Sequence, residues 1–377
     1  MKNIKVVIGT LFGDEGKGLL TDYFCQLTTE PVLNVRFNGT AQASHTVVFE
    51  DKSHIFHSIG AGSFHSNVDT YFSKEFVVNP MALKEEVLEF IKDFHIKPKI
   101  YINEECRIAT PYDMLLNKEV EDSREIRHGS CGFGFFETIK RYKNSKAYFY
   151  LNDDFYEKLD EVIVYAKNIS NNPILSSETL KQDFIDALLW VKSYCEIVTD
   201  DILDSYDTIV FEGAQGLSLC EDNMPYFPHL TPSQTGIKYV SDILKDRKFN
   251  FDLEVCYVVR SYATRHGNGL LKFSCNKEDL GKFVEEKTNI TNEFQGSFRF
   301  GYLNKEEIEE NIQRDLLKLD EILEPIKLTF AITHLDQTNG ILKTNEGDIA
   351  IKDLKFHNDL YLSYGETAKD IKRQRHK

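Results

Sequence analysis

The sequence predicts an α/β protein, a mostly parallel, doubly wound sheet of the P-loop-related nucleotide-binding type with helical insertions. Three observations carry this. A β-branched run, Ile4 to Gly9, leads into a glycine-rich loop and then a helix over 18–26 with Leu19, Leu20, Tyr23 and Phe24 on one side. Further strand-like runs stand at 33–37, 46–49, 76–78, 208–211, 253–259 and 327–332. Helical patterns at 81–94, 177–195 and 305–321 lie between them, and such alternation favours one wound sheet. The stretch 144–201 reads as helical, polar and peripheral, and the final KDIKRQRHK as a solvated tail. No repeat, low-complexity tract or Pro/Gly/Ser linker divides the chain, so a single domain over 1–377 is expected.

A chain of 377 residues, 41% of them hydrophobic, can bury a large core. With 45 basic against 60 acidic residues the net charge is -15, which argues against nucleic acid as a partner. An anionic ligand must then be held by local cations or helix N-termini. Seven scattered cysteines without a CxxC pair read as reduced thiols. No run approaches the ~20 apolar residues of a membrane span. The opening apolar run is too short for a signal peptide, so the expected place is the cytoplasm, away from membranes.

The first motif is Gly13-Asp14-Glu15-Gly16-Lys17-Gly18, directly after the first strand. Its glycines let the backbone bend and approach a ligand, its N–H groups and the next helix N-terminus cradle an anion, and Lys17 adds charge for a phosphate. It lacks the Lys-Ser/Thr ending of the Walker loop, and Asp14 would repel phosphate unless it meets a metal ion or serves as a base. The second, Arg36 to Thr46, follows another strand and holds a histidine, His45, among small residues. By strand order it belongs at the same carboxyl edge as the first loop. Three more motifs follow strands: Phe211 to Gly216 (FEGAQG), Thr264 to Gly269 (TRHGNG) and Thr333-His334-Leu335-Asp336. An aspartate just past such a strand can accept hydrogen bonds from the N1–H and N2 amino groups of guanine.

Together, and in this order, the five motifs resemble the adenylosuccinate synthetase family. The first is similar to its GTQWGDEGKG segment, the second to the segment ending in Gly-His-Thr, and FEGAQG matches unchanged. Phe227 to Thr231 resembles Tyr-Pro-Tyr-Val-Thr, TRHGNG resembles Thr-Arg-Val-Gly-Ala-Gly, and Thr333 to Asp336 resembles Thr-Lys-Leu-Asp. Ser363-Tyr364-Gly365 resembles Ser-Thr-Gly. The resemblance implies a homodimeric, GTP- and Mg²⁺-dependent C–N ligase of purine biosynthesis. It phosphorylates O6 of inosine monophosphate (IMP) and displaces the phosphate with aspartate.

By the same resemblance, Asp14 is the general base and a Mg²⁺ ligand, with the Ser44 carbonyl a second ligand, and His45 is the proton donor. Gly13, Glu15, Gly16, Lys17, Gly18 and Thr46 would hold GTP phosphates, while Asp336, Ser363 and Gly365 read guanine. Gln42, Ser130, Gln215, Thr231, His266 and Gly267 would line the purine monophosphate, with Arg141, or its neighbours Lys140 and Lys143, supplying its charge across a dimer interface. Arg299 would meet the amino acid. Of the arginine run in the family's amino-acid loop only Arg299 remains, beside Ser297, Phe298 and Phe300, and neither serine nor phenylalanine binds a carboxylate as arginine does. Two further functions therefore stay open: a relative using another 6-oxopurine nucleotide, such as (d)GMP, or another amine, and an inactive purine- or GTP-binding protein.

Overall fold

The opening run becomes the strand Lys2–Gly9, in the middle of a ten-stranded sheet. The computed structural model describes residues 1–125, 132–286, 297–323, 325–354 and 358–375. From one edge the order is Ile371–Gln374, Asp359–Ser363, Lys327–Thr333, Phe251–Arg260 and Lys2–Gly9. It continues through Thr208–Gly216, Val32–Arg36, Val68–Phe72, Ile100–Asn103 and Glu196–Val198. Neighbours are parallel except at the first edge, where Ile371–Gln374 runs antiparallel to Asp359–Ser363. Parallel strands need cover on both faces, and the opening strand is built for it. Ile4, Val6 and Ile8 pack on one face with Ile237, Val240 and Ile312. Val7 packs on the other with Leu20 and Phe24 of the helix Lys17–Cys25. Burying Leu20 and Phe24 contributes about 1.5–3 kcal/mol each.

Caps set the helix boundaries. Asn79 accepts the Ala82 N–H at 3.1 Å before Pro80–Phe94, and Ser177 accepts the Leu180 N–H at 3.2 Å before Glu178–Tyr194. Asn304 caps Lys305–Leu316, which stops short of the expected 321.

Four expectations need correction. The run at 46–49 is half of a separate hairpin, His45–Phe49 with Lys52–Phe56, and the run at 76–78 pairs as Val77–Val78 with Arg107–Ile108. The charged end is not a free tail. Ile371 is buried, and Arg373 bonds Asp359 at 2.8 Å, so residues 371–374 close the sheet edge despite their polarity. The helices of the 144–201 stretch also bury Leu159, Val162, Phe184 and Leu188 against Leu83 and Phe90, so their inner faces are core. Among the described residues no helix is long and apolar enough to cross a membrane.

Candidate active site

A cavity of about 710 Å³ opens at the carboxyl edge of the central strands, where a wound parallel sheet gathers its loops. The segment Gly13–Gly18 forms one wall. Gly13, Asp14 and Gly16 have φ of 90°, 54° and 87°, in the left-handed region. Gly16 caps the helix Lys17–Cys25, which has no side-chain cap and no acidic residue in its first turn. Its leading N–H groups are thus available to an anion. A Cβ on Gly18 would stand 2.7 Å from the His45 Cβ, so only glycine lets the histidine loop come this close.

Glu15 turns inward and braces the loop. Its Oε1 accepts the Thr10 and Leu11 N–H groups at 2.9 and 2.8 Å and the Thr10 hydroxyl at 3.0 Å. Burial pushes its carboxyl up to about 7, a rise that Lys17 and these donors limit. Burial also lowers the affinity of the Lys17 ammonium for its proton, and Glu15, Asp14 and Glu212 oppose that loss.

Facing this wall are Gln42, Ser44, His45 and Thr46. His45 Nδ1 is bonded to Oε1 of the buried Glu212, which leaves Nε2 as the ring nitrogen for the cavity. Glu212 Oε2 accepts from Asn34 Nδ2 and the Ala61 N–H, both at 3.0 Å, and the buried Arg36 guanidinium lies 4.0 Å from Oε1. Burial would raise the Glu212 carboxyl, but Arg36, His45 and the Ala61 N–H outweigh it and bring it down to about 2. Burial lowers the His45 pKa, and the hydrogen bond and charge of Glu212 oppose that fall.

At the other end Asp336, Ser363 and Gly365 meet, together with His334. Burial raises the Asp336 carboxyl. Ser363 donates to the Gly365 carbonyl at 2.8 Å. His334 Nδ1 lies 2.8 Å from the Thr333 hydroxyl, and burial with the nearby Arg260 keeps its ring neutral.

Gln215, Thr231 and His266 line the same cavity, and the buried Thr231 hydroxyl has no hydrogen-bond partner among the described residues. Gly267 lies outside the cavity lining, in a turn with φ 77°. Ser130 falls outside the described residues. Arg299 is also absent from the lining; its Nη2 donates to the Gly269 carbonyl at 2.5 Å.

Arg141 is not a cation for a phosphate. It is fully buried and holds Asp113 with Nε at 2.8 Å and Nη2 at 2.7 Å. Nη1 donates to the Ala147 carbonyl and Nη2 to the Ile108 carbonyl, at 2.7 and 2.9 Å. Arg141→Leu is expected to strand the Asp113 charge and cost about 3–5 kcal/mol in urea unfolding, with the monophosphate KM unchanged. A raised KM at unaltered stability would restore the phosphate role.

Two residues of the site escaped the motif reading. Glu212 lies inside FEGAQG, where a carboxylate in an otherwise buried strand was the available signal. Arg260 ends the strand Phe251–Arg260 and lines the cavity beside Asp14.

The oxygen donors fit a divalent cation only with help from a ligand. Asp14 and Ser44 border the cavity, and no group of three or more His, Cys, Asp and Glu suited to a metal occurs among the described residues. One carboxylate, one carbonyl and phosphate oxygens form the kind of set that Mg²⁺ accepts.

Comparison with known proteins agrees with this architecture. The chain is 31% identical to the adenylosuccinate synthetase of Chlorobium limicola over 287 residues, 70% of this chain and 63% of that one. It is 31% identical to that of Clostridium beijerinckii over 301 residues, 75% and 68% of the two chains. The chain thus spans a little under two thirds of the Chlorobium relative's length. Its fold matches a fully ligated adenylosuccinate synthetase from Plasmodium falciparum with a TM-score of 0.71 at 19% identity, over 99% of this chain and 87% of that one. It also matches the cyanophage S-2L succinoaminodeoxyadenylate synthetase, solved with dGMP and with dATP as an energy donor, with a TM-score of 0.63 at 16% identity, over 99% and 95%. The adenylosuccinate synthetase family model matches residues 6–316, and the chain belongs to that family.

Proposed function

We propose that this protein is a GTP- and Mg²⁺-dependent C–N ligase that joins aspartate to IMP. The supporting observation is the convergence of Asp14, Lys17 and the Glu212-held His45 on one cavity beside an uncapped helix N-terminus. In this reading Asp14 takes the N1 proton of the purine, and O6 attacks the γ-phosphorus as the bond to GDP breaks. His45, when protonated with Glu212 as its counter-charge, offers the Nε2 hydrogen to the charge developing on the transferred group. The amine then attacks C6, the C6–O bond breaks, phosphate leaves, and the new C–N bond sheds a proton. Gly16, Lys17 and Gly18 hold the phosphates, and Mg²⁺, when bound, neutralises charge that the acidic cavity would otherwise repel. Arg299 is the residue proposed to meet the amino acid carboxylate. The homodimer belongs to the proposal, although a cation shared across its interface would have to come from a residue other than Arg141.

The test is a matrix of purine monophosphates, IMP and dGMP among them, against amino acids, with GTP or ATP. Phosphate release and product mass are measured. Adenylosuccinate from IMP, aspartate and GTP is expected. Release with dGMP alone, or with an amine other than aspartate alone, would replace the substrate assignment, and release with no pair would overturn the ligase.

Asp336 is proposed to select guanine. Asp336→Asn should raise the KM for GTP by about 10- to 100-fold, as expected for losing hydrogen bonds to a charged group. It should also narrow the preference over ITP and XTP. Equal use of ATP and GTP by the unaltered protein would refute the assignment.

A further inference from the structure

Asp14 is a non-glycine residue in the left-handed region, with φ 54°. Such a conformation persists where the surroundings over-determine it, and one segment contacts Asp14 at both ends. Arg260, at the end of its strand, donates Nε–H to the Asp14 carbonyl oxygen. The rest of its guanidinium is held by the Tyr262 hydroxyl at 3.2 Å and by Glu286 Oε2 at 3.3 Å, so the grip on the main chain is fixed. Six residues later, at the end of the strand Ala263–His266, the imidazole of His266 places Nε2 3.8 Å from Asp14 Oδ2.

The two nitrogens of that ring are not equivalent. Nδ1 is buried and has no partner among the described residues. A proton on Nδ1 would be a buried, unpaired donor, whereas a proton on Nε2 faces the carboxylate. Phe298, paired with His266 across the antiparallel ladder, meets the ring edge-on at 4.7 Å and 64° and holds its orientation.

We propose that His266 is a positioning residue for Asp14: with Arg260 holding the main-chain oxygen, the imidazole directs the carboxylate into the cavity. The inference rests on Asp14 acting as the base. Three full-length variants test it, Asp14→Asn, His266→Val and His266→Gln, each assayed for phosphate release with GTP, IMP and aspartate. GTP binding by calorimetry and thermal unfolding are measured alongside. Misdirecting a reacting group costs rate far more than affinity. His266→Val should therefore lower kcat by about tenfold to 10²-fold, with the KM for IMP, GTP affinity and unfolding temperature little changed. His266→Gln, which keeps a donor, should recover to within about threefold of the wild type.

If Asp14→Asn keeps near-normal release, the base reading fails and this inference with it. If Asp14→Asn is inactive while His266→Val turns over normally, Asp14 stands and the positioning role is overturned. A raised KM for IMP at normal kcat would make His266 a substrate contact instead. Loss of unfolding temperature in step with kcat in both His266 variants would make it merely structural. Either result also overturns the inference.

Discussion

Asp14→Asn is expected to lower phosphate release by about 10²–10⁴ or abolish it, the range general-base catalysis supplies. GTP affinity by calorimetry should stay within about tenfold. The substitution is nearly isosteric, and asparagine tolerates the left-handed φ of 54° at this position. The Arg260 bond goes to the main-chain oxygen and survives the change. The loop glycines and the helix N-terminus, which make the phosphate cradle, are untouched. Removing a negative charge from an anion site also offsets any affinity lost through a weaker hold on Mg²⁺. What disappears is an acceptor for the purine proton. Near-wild-type release by the variant would show that the proton leaves by another route.

The parts of this site that were legible in the sequence are contiguous loops after buried strands. Residues 13–18, 42–46 and 333–336 each follow a strand of the central sheet, and strand order alone puts their loops on one edge. What joins the loops was not legible. His45 meets Glu212 across 167 positions, and Arg36 reaches the same carboxylate from a neighbouring strand; no local pattern encodes such a contact. Arg141 misled for the same reason. A basic residue in a charged helix looks exposed until its partner Asp113, 28 positions earlier, is seen beneath it. The C-terminal strand was hidden by its composition: Ile371 is its one buried residue, and main-chain pairing with Asp359–Ser363 holds the rest. Pairing of that kind is blind to side-chain polarity at an edge.

His45 and Glu212 should separate when they are changed one at a time. His45→Asn is expected to slow phosphate release by about 10² or more, because the lost interaction belongs to the transition state. Its unfolding free energy in urea should change by no more than about 1.5 kcal/mol, the net value of one hydrogen bond. Glu212→Gln acts on both quantities. If the amide oxygen takes the place of Oε2 it still accepts from Asn34 and the Ala61 N–H, but its NH₂ group then faces the His45 ring; turned the other way, the NH₂ faces the Asn34 and Ala61 donors. The buried Arg36 also loses its counter-charge and keeps uncharged partners: the carbonyls of Ser58 and Ile59, at 3.3 Å, the longer contact to Ala43 and the Phe76 ring. Stranding a buried cation in this way costs about 3–5 kcal/mol. The rate should fall as well, since nothing then fixes the ring or balances a proton on Nε2. Measured as a pair, kcat should drop in both variants and stability in Glu212→Gln alone. An unchanged rate in His45→Asn would make the histidine a structural residue, and Glu212 would then be no more than the counter-ion of Arg36.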